Sequence, residues 1–330
     1  MPNNLKLHDT WLVGTGNIAV DYAKVLAAQN ILFTPIGRGE DSASVFTEKS
    51  GLPAVTGGLD SVLEKSVPVT AIVTVGVKEL ANATLTLIKK GTRRILLEKP
   101  GGIDRTEIGQ VACAAKEKNA EVLIAYNRRF YSSVLAAEDI IKQDGGVTSF
   151  NFEFTEWLHL LRNKEGFGNS SNLFLANSSH VMDMAFFLGG FPKTMSCFAI
   201  NEGDILDKCS ARIYSGVGVS NNGALFSYQA NWGSAGRWSV EVLTRNHRLI
   251  FRPLEQLHVM NVGSVLVEKM DIDDTLDIDF KPGLYREVKA FFTGEQKYRF
   301  PTIHDQYENC DIYAKMQMGC GKIVNFKCSE

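Results

Sequence analysis

The sequence predicts an α/β domain with a doubly wound parallel sheet, followed by an α+β domain with a large open, mainly antiparallel sheet. Short apolar runs alternate with helical patterns over the first third of the chain, as successive βα units do. After about residue 145, apolar and polar residues alternate with period two instead. We therefore place the two domains at residues 1–126 and 127–330.

The first domain is predicted from strands that alternate with helices. Residues 11–13 form a short apolar run that Gly14 ends, and apolar positions from Ile18 to Leu26 recur with the spacing of a helix packed on a sheet. Four further apolar runs indicate strands at residues 31–36, 71–75, 95–97 and 122–125. Runs of this kind are typical of strands covered on both faces. Their alternation with helices implies a parallel sheet.

The second domain is predicted from strands with one buried face. Phe150, Phe152 and Phe154 alternate with polar residues, and the same period recurs at residues 209–213, 226–230 and 238–242. The Asn-Asn-Gly turn at residues 221–223 suits a connection between antiparallel strands. One helical segment, residues 173–188, precedes most of these strands.

Charge and hydropathy exclude several classes of partner. The net charge is −2, and no stretch is strongly basic, so the positive surface of a nucleic-acid binder is missing. No apolar run approaches the roughly 20 residues that span a bilayer. The polar first residues lack the basic-then-apolar order of a signal peptide. We expect a cytoplasmic protein with neither a nucleic-acid nor a membrane partner.

Cysteines and acidic residues give no sign of a metal site. None of the six cysteines forms a C-x-x-C pair, and in a chain this long they are typical of reduced, packed thiols. The acidic cluster Asp271, Asp273 and Asp274 begins like a calcium loop but lacks its glycine and its final glutamate. A solvated turn is the better interpretation, and we expect no bound metal.

The turn after the first strand has the pattern G-x-G-x-x-A. It comprises Gly14, Thr15, Gly16, Asn17, Ile18 and Ala19. The first glycine permits a tight turn, the second lets a diphosphate approach the backbone, and the small last residue lets helix and strand pack closely. The diphosphate then lies at the helix N-terminus, where free N–H groups and the helix dipole favour an anion. The context predicts a dinucleotide-binding Rossmann domain, with residues 14–18 at the cofactor.

The end of the second strand favours NADP over NAD. A carboxylate at this point accepts hydrogen bonds from the ribose 2′-hydroxyl of NAD. The sequence has Gly37 followed by Arg38 instead, which leaves room for a 2′-phosphate and supplies a guanidinium to pair with it. Glu40 and Asp41 lie close enough along the chain to keep NAD open as the alternative.

Two polar segments follow the last two strands of the predicted parallel sheet. Glu98-Lys99-Pro100 ends one strand, and residues 126–130 (Tyr-Asn-Arg-Arg-Phe) end the next. Ligands of open α/β sheets bind outside the carboxyl ends of the strands, so both segments are expected at the cofactor. A lysine before proline has a restricted backbone, and Lys99 can exchange a proton with a substrate hydroxyl. The dinucleotide contacts predicted beyond the glycine-rich turn are Gly37, Arg38, Thr74, Val75, Glu98, Lys99, Asn127 and Arg128.

These motifs together resemble the glucose–fructose oxidoreductase/inositol dehydrogenase (Gfo/Idh/MocA) family, and His180-x-x-Asp183 adds to the resemblance, which covers essentially the whole chain. It implies hydride transfer at a carbinol carbon of a sugar, polyol or sugar nucleotide, with Lys99 and His180 near the reacting oxygen. The Glu-Lys-Pro motif is expected at the end of the fifth strand. The open sheet is expected to bind substrate and to form a homo-oligomer, a dimer or tetramer. The predicted substrate contacts are Lys99, Tyr126, Arg128, Asn177, His180 and Asp183.

The sequence departs from the family at the helix that carries His180. The family often has an aspartate four residues before the histidine, on the same helical face, and here that residue is Ala176. The usual glycine-rich approach to this helix is replaced by residues 168–172. A complete Lys/Asp/His proton relay is therefore not predicted.

The resulting prediction is an NAD(P)-dependent dehydrogenase or reductase with Lys99 and His180 as its catalytic residues. Two alternatives remain open. One is an enzyme that uses its cofactor transiently, for isomerisation or elimination. The other is a non-catalytic, dinucleotide-dependent sensor of the same fold, which the alanine at residue 176 favours slightly and the intact Glu-Lys-Pro motif opposes.

Overall fold

The computed structural model describes residues 7–157, 174–201 and 212–320. They divide into two compact units, the first within Met1–Ser132 and Asp273–Cys310, the second within Ser133–Ile272 and Asp311–Glu330. Residues 273–310, which the sequence prediction placed in the second domain, thus belong to the first unit. Leu284, Val288 and Phe291 pack into the same core as the parallel sheet. Their apolar spacing predicts a helix, but spacing does not say which sheet covers it.

The first unit contains the predicted parallel sheet, with strand order β2-β1-β3-β4-β5. The strands are β1 (Thr10–Val13), β2 (Thr34–Ile36), β3 (Thr70–Val73), β4 (Arg94–Glu98) and β5 (Glu121–Ala125). The helices that alternate with them are α1 (Asn17–Ala28), α2 (Glu40–Ser50), α3 (Gly58–Leu63), α4 (Leu80–Lys90) and α5 (Arg105–Glu117). The strand order reverses between β1 and β3, and ligands of doubly wound sheets bind at such a switch point.

The Glu-Lys-Pro motif follows the fourth strand of this sheet, whereas the family pattern predicted the fifth. The difference arises before β3, where Val55 forms only an isolated bridge to Ile36 instead of a strand. Strand β2 is also shorter than predicted, because residues 31–33 are not part of the sheet. The order of the motifs along the chain is unaffected.

The second unit is built on an eight-stranded, mainly antiparallel sheet with order β13-β12-β11-β10-β6-β9-β8-β7. Its strands are β6 (Ser149–Glu153), β7 (Pro192–Asn201), β8 (Arg212–Ser220), β9 (Leu225–Asn231), β10 (Ser239–Leu243), β11 (His247–Phe251), β12 (His258–Asn261) and β13 (Glu268–Lys269). Among these described strands, only β6 and β9 pair in parallel. The predicted fold class is confirmed for both units.

Period-two burial defines the inner face of this sheet. Phe150, Phe152 and Phe154 are buried, and Phe226 and Tyr228 of β9 stack on the first two of them, with ring centroids 5.3 and 5.5 Å apart. The predicted turn at residues 221–223 connects β8 and β9. Of the alternation predicted at 209–213, residues 209–211 lie outside the described residues.

Helices complete both units. They are α6 (Ser132–Gln143), α7 (Ser179–Gly189), α8 (Thr275–Asp279), α9 (Leu284–Thr293) and α10 (Ile303–Met318). The helix predicted at 173–188 has two parts in the described residues, because Phe174–Ser178 is π-helical and precedes α7. In the part of the chain that the structure describes, no helix is long and apolar enough to cross a membrane.

Candidate active site

The glycine-rich turn lies at the switch point between β1 and β3. Gly14 has φ +121° and donates its N–H to the carbonyl of Ile36 at 2.9 Å. A Cβ on Gly14 would lie only 2.8–3.0 Å from the side chain and backbone of Thr74. Thr74 in turn donates its N–H and its hydroxyl to the carbonyl of Val13, at 2.8 and 3.1 Å. Only glycine satisfies both the backbone conformation and this close approach.

The N-terminus of α1 is open where a diphosphate would bind. Gly16 is the N-cap residue, no side chain caps the helix, and a Cβ on Gly16 would meet nothing within 4 Å. The first N–H groups of a helix lack partners within the helix, and the dipole there favours an anion. Asn17 accepts a hydrogen bond from Lys49 Nζ at 3.0 Å, which places a positive charge beside this N-terminus. These residues fit a dinucleotide diphosphate.

The end of β2 brings a small residue against the glycine-rich turn. A Cβ on Gly37 would lie 3.0 Å from Cγ2 of Thr15, so the glycine allows the two loops to pack closely. Arg38 is exposed, while Glu40 and Asp41 occupy the first turn of α2. A guanidinium is therefore available at this edge, and two carboxylates lie just beyond it along the chain.

The Glu-Lys-Pro motif is supported by a glutamine from α10. The Lys99–Pro100 peptide is cis, and Lys99 is half-buried. The buried side chain of Gln306 donates from Nε2 to the carbonyl of Pro100 at 3.0 Å and to the hydroxyl of Tyr126 at 3.2 Å. One amide thus ties together the loops that follow β4 and β5.

A tyrosine connects two glutamates next to Lys99. The Tyr22 hydroxyl lies 3.0 Å from Glu98 Oε1 and 3.2 Å from Glu287 Oε2. A hydroxyl has one proton to donate, so the second contact requires a protonated carboxyl that donates to the tyrosine oxygen. Burial and the neighbouring Glu98 hold the pKa of the Glu287 carboxyl well above its usual range. Glu287 is therefore the protonated partner.

Glu98 has a different environment, although burial also raises its pKa. The positive charges of Lys99 and Lys281 and the hydrogen bond from Tyr22 act in the opposite direction and favour its ionised form. The proton chain thus runs from Glu287 through Tyr22 to Glu98, with the carboxylate at the Lys99 end. This arrangement places the hydrogen-bond acceptor at the end of the chain, Glu98, directly before the lysine of the motif.

The segment after β5 divides its two arginines between surface and interior. Arg129 is buried and donates to the carbonyl of Arg299 at 3.0 Å, and Arg299 donates back to the carbonyl of Arg129 at 2.7 Å. Arg128 is only half-buried, so it is the arginine with an accessible side chain. Asn127 is buried and donates to the carbonyl of Pro282 at 2.9 Å.

Tyr126 was predicted to contact substrate, but its side chain is fully buried. Its hydroxyl accepts the hydrogen bond from Gln306 described above. A phenol held in the interior in this way supports the strand end, and we do not assign it a substrate contact.

In the second unit, Asn177, His180 and Asp183 are spaced three residues apart along the helical segment. Side chains at this spacing are neighbours on one face of an α-helix, which applies to His180 and Asp183, whereas Asn177 lies in the π-helical stretch before α7. Asn177 is half-buried, whereas His180 and Asp183 are buried. The π-helical stretch ends one residue before α7 begins, and π-helical turns occur frequently at functional sites. The spacing that assigned Ala176 to the face of His180 assumed an α-helix and does not apply unchanged.

A buried carboxylate stands beside this segment. Glu156, which follows β6, accepts hydrogen bonds from Ser178 Oγ at 2.6 Å and from Asn177 Nδ2 at 2.8 Å. Arg237 lies 3.3 Å from the same carboxylate. Burial raises the pKa of Glu156, and the bond from Ser178 and the charge of Arg237 oppose that shift.

Aromatic rings enclose the arginine of this group. The Arg237 guanidinium lies 4.8 Å from the ring centroid of Trp157 and 4.4 Å from that of Trp238. The Trp238 ring is 6.1 Å from the imidazole of His180. Such cation–π contacts fix the plane of the guanidinium. Glu156, Asn177, Ser178, Arg237 and Trp238 therefore form one polar cluster next to His180, which we call the Glu156 cluster.

Sequence reasoning missed the groups that hold the predicted residues in place. They are Tyr22, Glu156, Arg237, Glu287 and Gln306. Tyr22 fits the apolar stripe of α1, and the other four come from segments distant in sequence from their partners, so no local pattern marks them. Within the described ranges, no group of three or more His, Cys, Asp or Glu side chains could hold a metal ion.

Several solved structures that are similar to this chain are dehydrogenases or NAD-binding oxidoreductases. They include a UDP-N-acetylglucosamine 3-dehydrogenase of Acidithiobacillus ferrooxidans, with 14% identity and a TM-score of 0.69 over 94% of this chain and 96% of that one. A levoglucosan dehydrogenase bound to NADH and levoglucosan has 17% identity and a TM-score of 0.73, over 93% and 95%. An NAD-binding oxidoreductase of Klebsiella pneumoniae has 15% identity and a TM-score of 0.71, over 93% and 95%. No family model and no curated protein matches the sequence. At these identities the likeness establishes the fold.

Proposed function

We propose that the protein is an NAD(P)-dependent oxidoreductase that acts on a carbinol or carbonyl carbon of a sugar, polyol or sugar nucleotide. The observation that carries the proposal is the uncapped, open N-terminus of α1 at the switch point of the parallel sheet. The Glu-Lys-Pro motif at the end of a neighbouring strand adds an acid–base candidate at the same edge of that sheet. Oxidoreductases that bind NADH and sugars share the fold.

The dinucleotide would be held by residues from five strand ends. Residues 14–18 would take the diphosphate, Gly37 and Arg38 the adenine ribose, and Thr74, Val75, Glu98, Lys99, Asn127 and Arg128 the remainder. When bound, the nicotinamide supplies the acceptor or donor of hydride. Thr74 and Asn127 are buried, so they would shape this surface mainly through the backbone they support.

The acid–base work is assigned to residues of this chain. In the oxidising direction Lys99 takes the proton of the substrate hydroxyl, and in the reducing direction it returns that proton. His180 orients the hydroxyl or relays its proton, with Asp183 one turn further along the helix as its support. Asn177 and Arg128 complete the proposed substrate contacts.

The choice of cofactor gives a first test. Because Gly37 and an exposed Arg38 follow β2, we expect NADPH to bind more tightly than NADH, and Arg38→Ala to narrow the gap. A charge-assisted contact of this kind contributes roughly 1.5–3 kcal/mol. Calorimetric titration of the wild type and Arg38→Ala with NADH and NADPH measures the difference in affinity. Arg105→Ala is the control for loss of an arginine elsewhere. A wild-type preference for NADH would contradict the assignment to NADP.

Turnover distinguishes the proposal from its alternatives. Nicotinamide absorbance should change steadily when the wild type is given a cofactor and a suitable sugar, and levoglucosan, L-sorbose and UDP-N-acetylglucosamine are the first probes to use. An enzyme that uses its cofactor transiently would convert substrate without net absorbance change. A sensor would bind dinucleotide tightly and convert none of them.

The second unit also carries the surface proposed for self-association. Phe198, Ile200, Val217 and Leu225 are 41–62% exposed on three adjacent strands, β7, β8 and β9. Large exposed apolar groups that cluster on one face mark interaction surfaces. We assign this face to contact with a second copy of the chain.

A further inference from the structure

Glu156 determines which way the Asn177 amide faces. The Nδ2 group of Asn177 donates to Glu156 Oε2 at 2.8 Å. The reversed amide would bring its carbonyl oxygen against a carboxylate oxygen, with no hydrogen between them, so the orientation with Nδ2 toward Glu156 is the stable one. Ser178 and Arg237 fix the carboxylate itself from two other directions.

This orientation leaves the carbonyl oxygen of Asn177 as the atom presented on the opposite side. Asn177 is half-buried, and no described residue donates a hydrogen bond to its Oδ1. His180 is three residues further along the same helical segment, and its imidazole lies 6.1 Å from the ring of Trp238, whose chain neighbour Arg237 is paired with Glu156. The pair thus offers an acceptor, with fixed direction, beside the histidine.

We infer that Glu156 is a positioning residue that orients Asn177, so that the Asn177 carbonyl oxygen accepts a hydrogen bond from a substrate hydroxyl next to the reacting carbon. The inference rests on the proposed function and extends it to a residue and a specificity. Glu156 places a buried carboxylate beside the helical segment in which residue 176 is an alanine. The carboxylate acts from the segment that follows β6, through the amide of Asn177, and does not itself contact substrate.

The arrangement selects for a hydroxyl donor at this point of the substrate. A substrate that lacks the hydroxyl leaves the carbonyl oxygen unpaired, and one with a carboxylate or phosphate there sets lone pairs against it. Sites built to hydrogen-bond a hydroxyl discriminate strongly against analogues that lack it. Neutral polyol substrates are therefore favoured over acidic sugars.

The test compares variants of the full-length protein in hydride-transfer kinetics with levoglucosan, L-sorbose and UDP-N-acetylglucosamine. Glu156→Ala releases the amide, so KM should rise by about threefold to tenfold, the equivalent of one hydrogen bond, while kcat changes by less than about twofold. A purely structural role would not produce this split. Asn246→Ala is the matched control, because Asn246 donates to Asp144 at the same 2.8 Å in the same unit, and its KM should not change.

A double variant that exchanges the carboxylate and the amide between residues 156 and 177 tests whether the interaction can be restored. Asn177→Asp sets two carboxylates together and should raise KM and lower the unfolding midpoint. Adding Glu156→Gln restores the hydrogen bond between the two side chains, because the glutamine amide now donates to the carboxylate at residue 177. The second oxygen of that carboxylate faces away, as the Asn177 carbonyl oxygen does in the wild type. The double variant should recover most of the wild-type KM, and the midpoint only in part, because the glutamine Nε2 then faces Arg237 where Glu156 Oε2 accepted its hydrogen bond.

Each outcome separates the role of Glu156 from the proposed function. If the wild type is active and Glu156→Ala has an unchanged KM, or the double variant recovers neither quantity, the role of Glu156 is wrong and the proposed function stands. If the wild type transfers hydride with none of the three probes, and none of them raises its unfolding midpoint in the presence of NADH or NADPH, the proposed function and this inference fail together.

Discussion

At the scale of single residues, the least expected feature is the proton chain Glu287–Tyr22–Glu98. Burial keeps the carboxyl of Glu287 neutral, and this carboxyl donates to the Tyr22 hydroxyl. Tyr22 in turn donates to the carboxyl of Glu98, beside Lys99. A buried carboxyl held neutral is costly to ionise, so its contribution to stability must depend on pH.

Glu287→Gln tests this dependence. Glu287 keeps its proton in the folded state but releases it in the unfolded state above its ordinary pKa of 4.5, so the free energy of unfolding falls as pH rises through and beyond that value. The decline is at most about 1.4 kcal/mol per pH unit for one proton. Glutamine can donate to Tyr22 without ionising, so the variant should gain stability over wild type between pH 5 and 8 and match it near pH 4.

Urea unfolding at a series of pH values measures this effect. Glu295→Gln serves as the control, because Glu295 is an exposed glutamate of the same unit and its neutralisation should leave the pH profile nearly unchanged. Parallel profiles for wild type and Glu287→Gln would show that Glu287 is ionised in the folded protein, contrary to the assignment.

At the scale of elements, the two glycines of the turn between β1 and α1 have different roles. Gly14 is required by the fold, because of its positive φ and its contact with Thr74, whereas Gly16 has ordinary dihedral angles and open space beside it. The sequence pattern treats both as binding residues. The structure shows a packing requirement at Gly14, and the binding role is proposed for Gly16.

The two alanine variants should therefore behave differently. Gly14→Ala should cost roughly 2–4 kcal/mol of stability, through backbone strain and the clash with Thr74. Gly16→Ala should cost about 1 kcal/mol or less, yet weaken dinucleotide binding at least about tenfold, because the methyl group would occupy the space proposed for the diphosphate. Thermal unfolding and calorimetric titration of each variant measure the two effects. Full dinucleotide affinity in a folded Gly16→Ala would remove the diphosphate site from this turn.

The elements that the sequence could predict were those in which apolar residues recur with a regular period. The phenylalanines of β6 and the alternating residues of β9 and β10 are buried as their period required. Two features had no such signal: the packing of α9 on the first sheet, and the parallel pairing of β6 with β9. Both depend on contacts between residues far apart in sequence. The missed residues Glu287 and Gln306 belong to this same class.

At the scale of the whole molecule, the apolar outer face of β7, β8 and β9 predicts self-association. Val217→Glu places a charge in the middle of this face, so the variant should sediment and scatter light as a smaller species than wild type, with its unfolding midpoint little changed. Leu32→Glu is the control, because Leu32 is an exposed apolar residue of the first unit, at 72% against 55% for Val217. A wild-type monomer, or an oligomer that Val217→Glu leaves intact, would contradict the assignment of this face.

Hydride transfer with Lys99 as the acid–base group is the central proposal for the whole protein, and one measurement tests it most directly. Single-turnover hydride transfer is recorded for wild type and Lys99→Met, at saturating cofactor and substrate. Methionine keeps the apolar stem but cannot exchange a proton, so the rate should fall roughly 10²–10⁴-fold, while calorimetry shows nearly unchanged cofactor affinity. Transfer by Lys99→Met at close to the wild-type rate would show that Lys99 is not the acid–base group.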